Sequence, residues 1–195
     1  MIKNIRHGKS NRFAELAKLG ELLFHTDDLA NLWRINNKNT LHTTIKRYTA
    51  QGLLIRIHKG FYALKPPNKI DPCLLGTKAL HGYTYVSTET ILKEEGIAQQ
   101  SLPYITLVSG KTLRFTCANN TYYSRKLPDK FLYQPNGIII GQDGAPKAGI
   151  SRAVADLLYF NPHVYLDAPG RINWNEVRAL QETLGYPLTL NRYDA

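Results

Sequence analysis

Cysteine, acidic residues and long apolar runs are what this chain is short of, and each shortage excludes something. Only two cysteines, Cys73 and Cys117, occur in 195 residues. They lie far apart without C-x-x-C spacing, so two buried thiols are expected in place of a disulfide framework or a thiolate zinc site. No apolar run approaches the roughly eighteen residues of a membrane-spanning helix. The opening stretch MIKNIRHGKSNRF has no apolar core of signal-peptide type, from which a cytoplasmic location is expected. The six histidines show no H-x-x-x-H or comparable spacing, and no D-x-D or E-x-K cluster marks the second half. Neither a metal, a cofactor nor a catalytic residue is therefore expected.

With 43% hydrophobic residues the chain is an ordinary globular protein, long enough for one large domain or two small ones. Acid is scarcest at the start. Residues 1–66 hold twelve Lys/Arg against four Asp/Glu, whereas the remainder holds thirteen against eleven. Most of the net charge of +10 thus lies in the first third, the clustering that a phosphate backbone selects, because each cation laid on it releases condensed counterions. The composition changes at KPPNKIDP, residues 65–72, and a domain over 1–66 followed by one over 67–195 is expected.

Before that break three helices are expected. NRFAELAKLGELL puts Phe13, Leu16, Ala17 and Leu23 on one stripe at helical spacing. HTDDLANLW offers Thr26 as N-cap, two aspartates in the first turn, and Leu29, Leu32 and Trp33 facing inward. NNKNTLHTTIKRYTAQG is the third, ending at Gly52. LLIRI and FYAL then alternate around His58-Lys59-Gly60, a strand–turn–strand pattern.

On the third helix Leu41, Ile45 and Tyr48 form the core stripe, and Asn39, Thr43, Lys46 and Ala50 collect on the opposite side, flanked by His42 and Arg47. That outer face carries no acid, whereas a helix merely facing water mixes Glu with Lys. Helix, short link RINN, helix and hairpin in this order form the pattern of a winged helix-turn-helix, whose second helix of the pair enters the major groove. Asn37, Lys38, Asn39, Thr40, His42 and Thr43 at its N-terminal end are candidates for base edges. Asn39 suits adenine, and the Thr43 methyl suits thymine. Lys46 and Arg47 suit phosphate. Gly52 stops the helix so that the chain can fold back as a wing carrying Arg56, His58 and Lys59. Double-stranded DNA is the expected partner, and the overall class is α+β, a winged helix-turn-helix domain followed by a mixed α/β domain. A protein-binding adaptor and a nucleic-acid enzyme anchored by its basic half are the competing readings.

In the second half Asp71 and Pro72 suit the N-cap and first turn of a helix over DPCLLGTKALHGY, and Ser87 suits the cap of TETILKEEG. Strands are expected at YITLVS, TLRFTCA, NTYYSRKL and GIIIG, with a turn at Gly110-Lys111, and helices at ISRAVADLLYF and from Asn173 toward Gly185.

The segment DDLANLWRINNKNTLHTTIKRYTAQGLLIRIHKGFYALKP, then YVSTETILKEEGI, VSGKTLRF and APKAGISRAVADLLYF, together resemble the AbiEi-type antitoxins of type IV toxin–antitoxin systems over roughly residues 20–168. The resemblance implies an N-terminal winged helix that binds operator repeats and represses its own operon. It also implies a C-terminal domain that counters a nucleotidyltransferase-like toxin encoded alongside. By position, Asn39, Thr43, Lys46 and Arg47 match the family's reading helix, Arg56 and Lys59 its wing, and Ser87, Arg152 and Asp156 its recurring C-terminal positions. The half after the break is short for that family, so an orphan regulator without a toxin partner is the alternative. A homodimer is the further partner considered, without a heptad seam in either half to mark it.

Several other patterns have simpler explanations. HGKS at 7–10 has Lys3 where a phosphate-binding loop needs glycine. GQDGAPKAG departs from G-x-G-x-x-G and reads as a connecting loop. Ser87, His81 and Asp156 could be named a triad, but nothing in the sequence places them together. Arg152 and Asp156, one helical turn apart, read as an intrahelical ion pair. Tyr122 and Tyr123 beside Arg125 and Lys126 could stack single-stranded nucleic acid, with strand packing the simpler account.

Overall fold

The computed structural model describes residues 11–98 and 102–189. Residues 1–10 of the N-terminal segment read for targeting, His7–Ser10 among them, lie outside them. The fold is mixed α and β, with eight α-helices and two sheets among the described residues. Contacts divide the chain into two compact units, Met1–Ile70 and Asp71–Ala195. No helix among the described residues is long and apolar enough to cross a membrane.

The first unit runs α1 (Asn11–Lys18), β1 (Leu23–His25), α2 (Thr26–Trp33), α3 (Lys38–Ala50), β2 (Ile55–His58) and β3 (Phe61–Ala63). The helix expected through Leu23 stops at Lys18, because Gly20 turns the chain at φ +70°. Leu23, Phe24 and His25 instead pair antiparallel with Ala63, Tyr62 and Phe61, giving a sheet in the order β1-β3-β2. Ala17 is exposed, unlike the expected stripe. His25, not Thr26, is the N-cap of α2, and its backbone N–H donates to the Asp28 carboxylate at 2.7 Å. Leu16, Leu29, Trp33, Leu41, Ile45, Tyr48 and Leu54 close one core. The hairpin turns at Gly60 (φ +83°), and its β2 strand bulges between Arg56 and His58.

The second unit holds α4 (Pro72–Ala79), β4 (Thr84–Val86), α5 (Glu89–Glu94), β5 (Ile105–Ser109), β6 (Leu113–Cys117), β7 (Asn120–Lys126), α6 (Asp129–Leu132), β8 (Ile138–Ile140), β9 (Pro146–Ala148), α7 (Ile150–Phe160) and α8 (Trp174–Leu184). Asp71 caps α4, accepting from the Cys73 N–H at 2.7 Å. The sheet order is β6-β7-β5-β4-β9-β8. Gly110-Lys111 therefore does not join neighbouring strands: β5 pairs in parallel with β7, and the tight hairpin is β6–β7, turning at Ala118 and Asn119, both at positive φ. GQDGAPKAG is more than a loop, since its second half is β9, which pairs with β8 and touches β4. Alternation along β7 sends Tyr122 and Ser124 toward α4, where Tyr122 donates to the Pro72 carbonyl at 2.9 Å. Tyr123 and Arg125 face the side occupied by α5 and α7.

Ser87 does not cap α5. That role falls to Thr88, at the strained backbone angles φ 57°, ψ −130°. The Ser87 hydroxyl donates to Asp156 at 2.8 Å, a partner 69 residues away.

Candidate nucleic-acid interface

α3 begins where the Asn37 side chain accepts from the Thr40 N–H at 3.0 Å and ends where Gly52 adopts φ +72°. Between those points Leu41, Ile45 and Tyr48 are 3–4% exposed, with Tyr48 packed on the Trp33 ring. The opposite face is open: Asn37, Lys38, Asn39, Thr40, His42, Thr43 and Lys46 are exposed, and Arg47 is half-buried along its own turn. No acid stands in the first turn of α3, although α2 carries Asp27 and Asp28 there. The positive end of the helix dipole is thus left without an internal counter-charge, which favours an external anion.

In the hairpin Arg56, His58 and Lys59 are exposed, and β2 alternates half-buried Ile55 and Ile57 with them. Arg56 Nε donates to the His58 carbonyl at 3.4 Å, which holds the guanidinium along the strand edge. The His58 ring lies 5.1 Å from that of Phe61 and is oriented by it. The structure thus places the eleven expected residues on two elements of one unit, the outer face of α3 and the hairpin. One residue escaped the sequence reading. Arg12, on α1, lines an open concavity of about 410 Å³ with Asn39, Thr40, Thr43 and Arg47. Only tertiary packing reveals it: Trp33 Nε1, at the end of α2, donates to the Arg12 carbonyl at 3.1 Å and anchors α1 there.

The second unit brings Ser87, Arg152 and Asp156 together in its core. Arg152 and Asp156 are both fully buried, with Nε and Oδ1 2.9 Å apart. Asp156 also accepts from Tyr186 at 2.7 Å, Ser87 at 2.8 Å and Tyr85 at 3.0 Å. The guanidinium donates onward to the Asn136 carbonyl at 2.8 Å and to Tyr85 at 2.9 Å. Burial opposes the Arg152 charge, but the Asp156 carboxylate outweighs it and holds the guanidinium above its ordinary pKa. Burial first, and Asp156 second, push the Tyr85 and Tyr186 phenols up. His81, the third member of the nominal triad, is exposed. A carboxylate saturated by four donors in a sealed core has no spare lone pair for catalysis, and this cluster ties α7 to β4 and to the chain after α8.

Asp71, Cys73 and Asp143 offer ligand atoms within 4.8 Å of one another. Two of the three side chains already have partners. Asp71 caps α4, and Asp143 binds Lys147 at 2.9 Å. Burial pushes the Cys73 thiol up to about 12. Lys147 already supplies the cation at this spot. Cys73 and Cys117 are both buried free thiols.

No family model and no curated protein matches the chain. Among solved structures, the crystal structure of the RV2827C protein from Mycobacterium tuberculosis is similar at TM-score 0.48 and 16% identity, over 92% of this chain and 72% of that one. A likeness at that level carries no inference about function.

Proposed function

We propose that this protein is a DNA-binding regulator whose first unit acts as a winged helix-turn-helix. The observation that carries the reading is the split of α3: its apolar side is sealed in the core, while Asn39, Thr43 and Lys46 stand exposed on a face without a carboxylate. On this reading α2 braces α3, the exposed face of α3 enters the major groove, and the β2–β3 hairpin is the wing. Asn39 and Thr43 read base edges, and Arg12, Lys46 and Arg47 grip phosphate on the rim of the groove. Arg56 and Lys59 reach the neighbouring backbone. The antitoxin role is a further step that rests on the sequence resemblance: the second unit would neutralise a nucleotidyltransferase-like toxin while the first represses the shared operon through operator repeats.

Titrating labelled duplex from upstream of the gene, against scrambled duplex of the same length, tests the first step. Tighter binding to the upstream sequence, relaxed at one position by Asn39→Ala, is expected. Equal binding to both duplexes contradicts a sequence-specific regulator, and no binding to either leaves the protein-binding adaptor. The antitoxin step is tested by expressing the neighbouring reading frame with and without this protein. Growth arrest that this protein relieves is expected, and a neighbour that is harmless alone contradicts it.

A further inference from the structure

We propose that the edge of the larger sheet, where β6 and β7 face the side of α5 and α7, is a binding strip for single-stranded nucleic acid. The register sets Arg114 beside Tyr123 on one face of the sheet, and Arg125 follows Tyr123 by two residues on the same face. Guanidinium groups and rings then alternate. The Arg114 guanidinium lies 5.1 Å from the Tyr104 ring centre and 5.0 Å from that of Tyr123. The Arg125 guanidinium lies 5.5 Å from Tyr123 and 5.5 Å from Phe160. Along this ladder, from Tyr104 to Phe160 at the end of α7, Arg114 is exposed, both tyrosines are half-buried, and Arg125 is ion-paired with Glu89 of α5.

Two concavities flank the ladder, about 450 Å³ beside Tyr104 and about 370 Å³ beside Phe160, and each is larger than a nucleobase. Charge favours a polyanion. From Gly96 to Pro128 the sequence contains no Asp or Glu, while Lys111, Arg114, Arg125 and Lys126 fall within it. Of the carboxylates that border the first concavity, Glu89 is paired with Arg125, and Glu94 stands 3.9 Å from Lys147, which Asp143 binds more closely at 2.9 Å. Tyr123 is packed between Arg114 and Arg125 and holds the exposed Arg114 guanidinium in place; the Arg114 plane and the Tyr104 ring are the surfaces offered to a base, and such stacking is tolerant of sequence. The occupant is a single strand and not a duplex, because only unpaired bases can leave their own stack to enter the concavities. The inference rests on the second unit alone and is independent of the role of α3.

The test uses the full chain and fluorescence anisotropy of a labelled mixed-sequence single-stranded 12-mer, with labelled duplex as the parallel arm. Arg114→Gln and Tyr123→Leu are each expected to weaken the single strand about ten-fold, as for loss of one stacking contact. Tyr123→Phe, which keeps the ring, restores the affinity. Lys46→Ala on α3 weakens the duplex and leaves the single strand unchanged. Unaltered thermal melting of Arg114→Gln shows that the loss is one of binding, since that side chain is exposed. The proposal is overturned if the wild type does not bind the single strand at low salt. It is equally overturned if Arg114→Gln binds as the wild type does, or if Lys46→Ala abolishes single-strand binding. The duplex arm reports separately on α3, so failure of either reading is visible without the other.

Discussion

Replacing Asp156 with alanine removes the acceptor on which the core of the second unit converges. The side chain takes hydrogen bonds from Arg152, Tyr186, Ser87 and Tyr85, all at 2.7–3.0 Å. In its absence a fully buried guanidinium loses its counter-ion and three hydroxyls lose their acceptor. Breaking a buried pair from one side costs about 3–5 kcal/mol, and the unpaired hydroxyls put this variant at the upper end. For a domain of this size about 1 kcal/mol moves Tm by roughly 4 °C, so a fall of roughly 12–20 °C is expected. The double variant Arg152→Met, Asp156→Leu removes both charges and should fall less than Asp156→Ala alone, because no buried charge is left unpaired. Circular dichroism or calorimetric melting at neutral pH measures both. A fall below about 3 °C for Asp156→Ala, or a double variant no better than the single one, would refute the reasoning.

Three further outcomes follow from the same geometry. Tyr85 and Tyr186 have folded-state pKa values raised above the ordinary tyrosine value by burial and then by Asp156. The unfolded chain therefore releases these protons first, so the stability they contribute is complete below about pH 10 and is lost as pH rises beyond it. Melting between pH 8 and 12 should show a decline that Tyr186→Phe makes shallower, and a flat profile would contradict it. A Cβ on Gly76 would stand 2.2 Å from Tyr122 Cε1, so Gly76→Ala is expected to cost about 1–3 kcal/mol in chemical denaturation. Asn37→Ala removes the cap of α3 and should cost about 0.5–2 kcal/mol in the first unit while also weakening duplex binding.

How much of this was legible in the sequence depended on whether the signal was local. α7 (Ile150–Phe160) and α8 (Trp174–Leu184) coincide with the segments expected, and the four-residue link between α2 and α3 is RINN as read. Each has helical periodicity or a cap within a few residues. β1, β4 and β9 were missed: they are as short as β3 and β8 but lack the hairpin turn that marks β3 and the isoleucine run that marks β8, so only a distant partner makes them strands. Leu23 continued the helical stripe of Phe13, Leu16 and Ala17, but Gly20 turns the chain and Leu23 pairs with β3. Ser87 ahead of a helical pattern resembled a cap, but a buried carboxylate 69 residues away competes better for its hydroxyl. The candidate interface was readable on α3 because one helix displays both of its faces in its own sequence. Tyr123 and Arg125 were visible together in one segment, whereas Arg12 and the placing of Tyr104 and Arg114 beside them were not, since separate elements supply them.

The most direct test of the account compares wild-type protein with Lys46→Ala on duplex DNA across a salt series. Wild-type log K should fall linearly with log salt at about −0.9 per phosphate contact, and Lys46→Ala should weaken every duplex alike and reduce the slope by about one. Duplex binding that is indifferent to salt, or a Lys46→Ala protein that binds as the wild type does, would contradict the claim that the exposed face of α3 meets DNA.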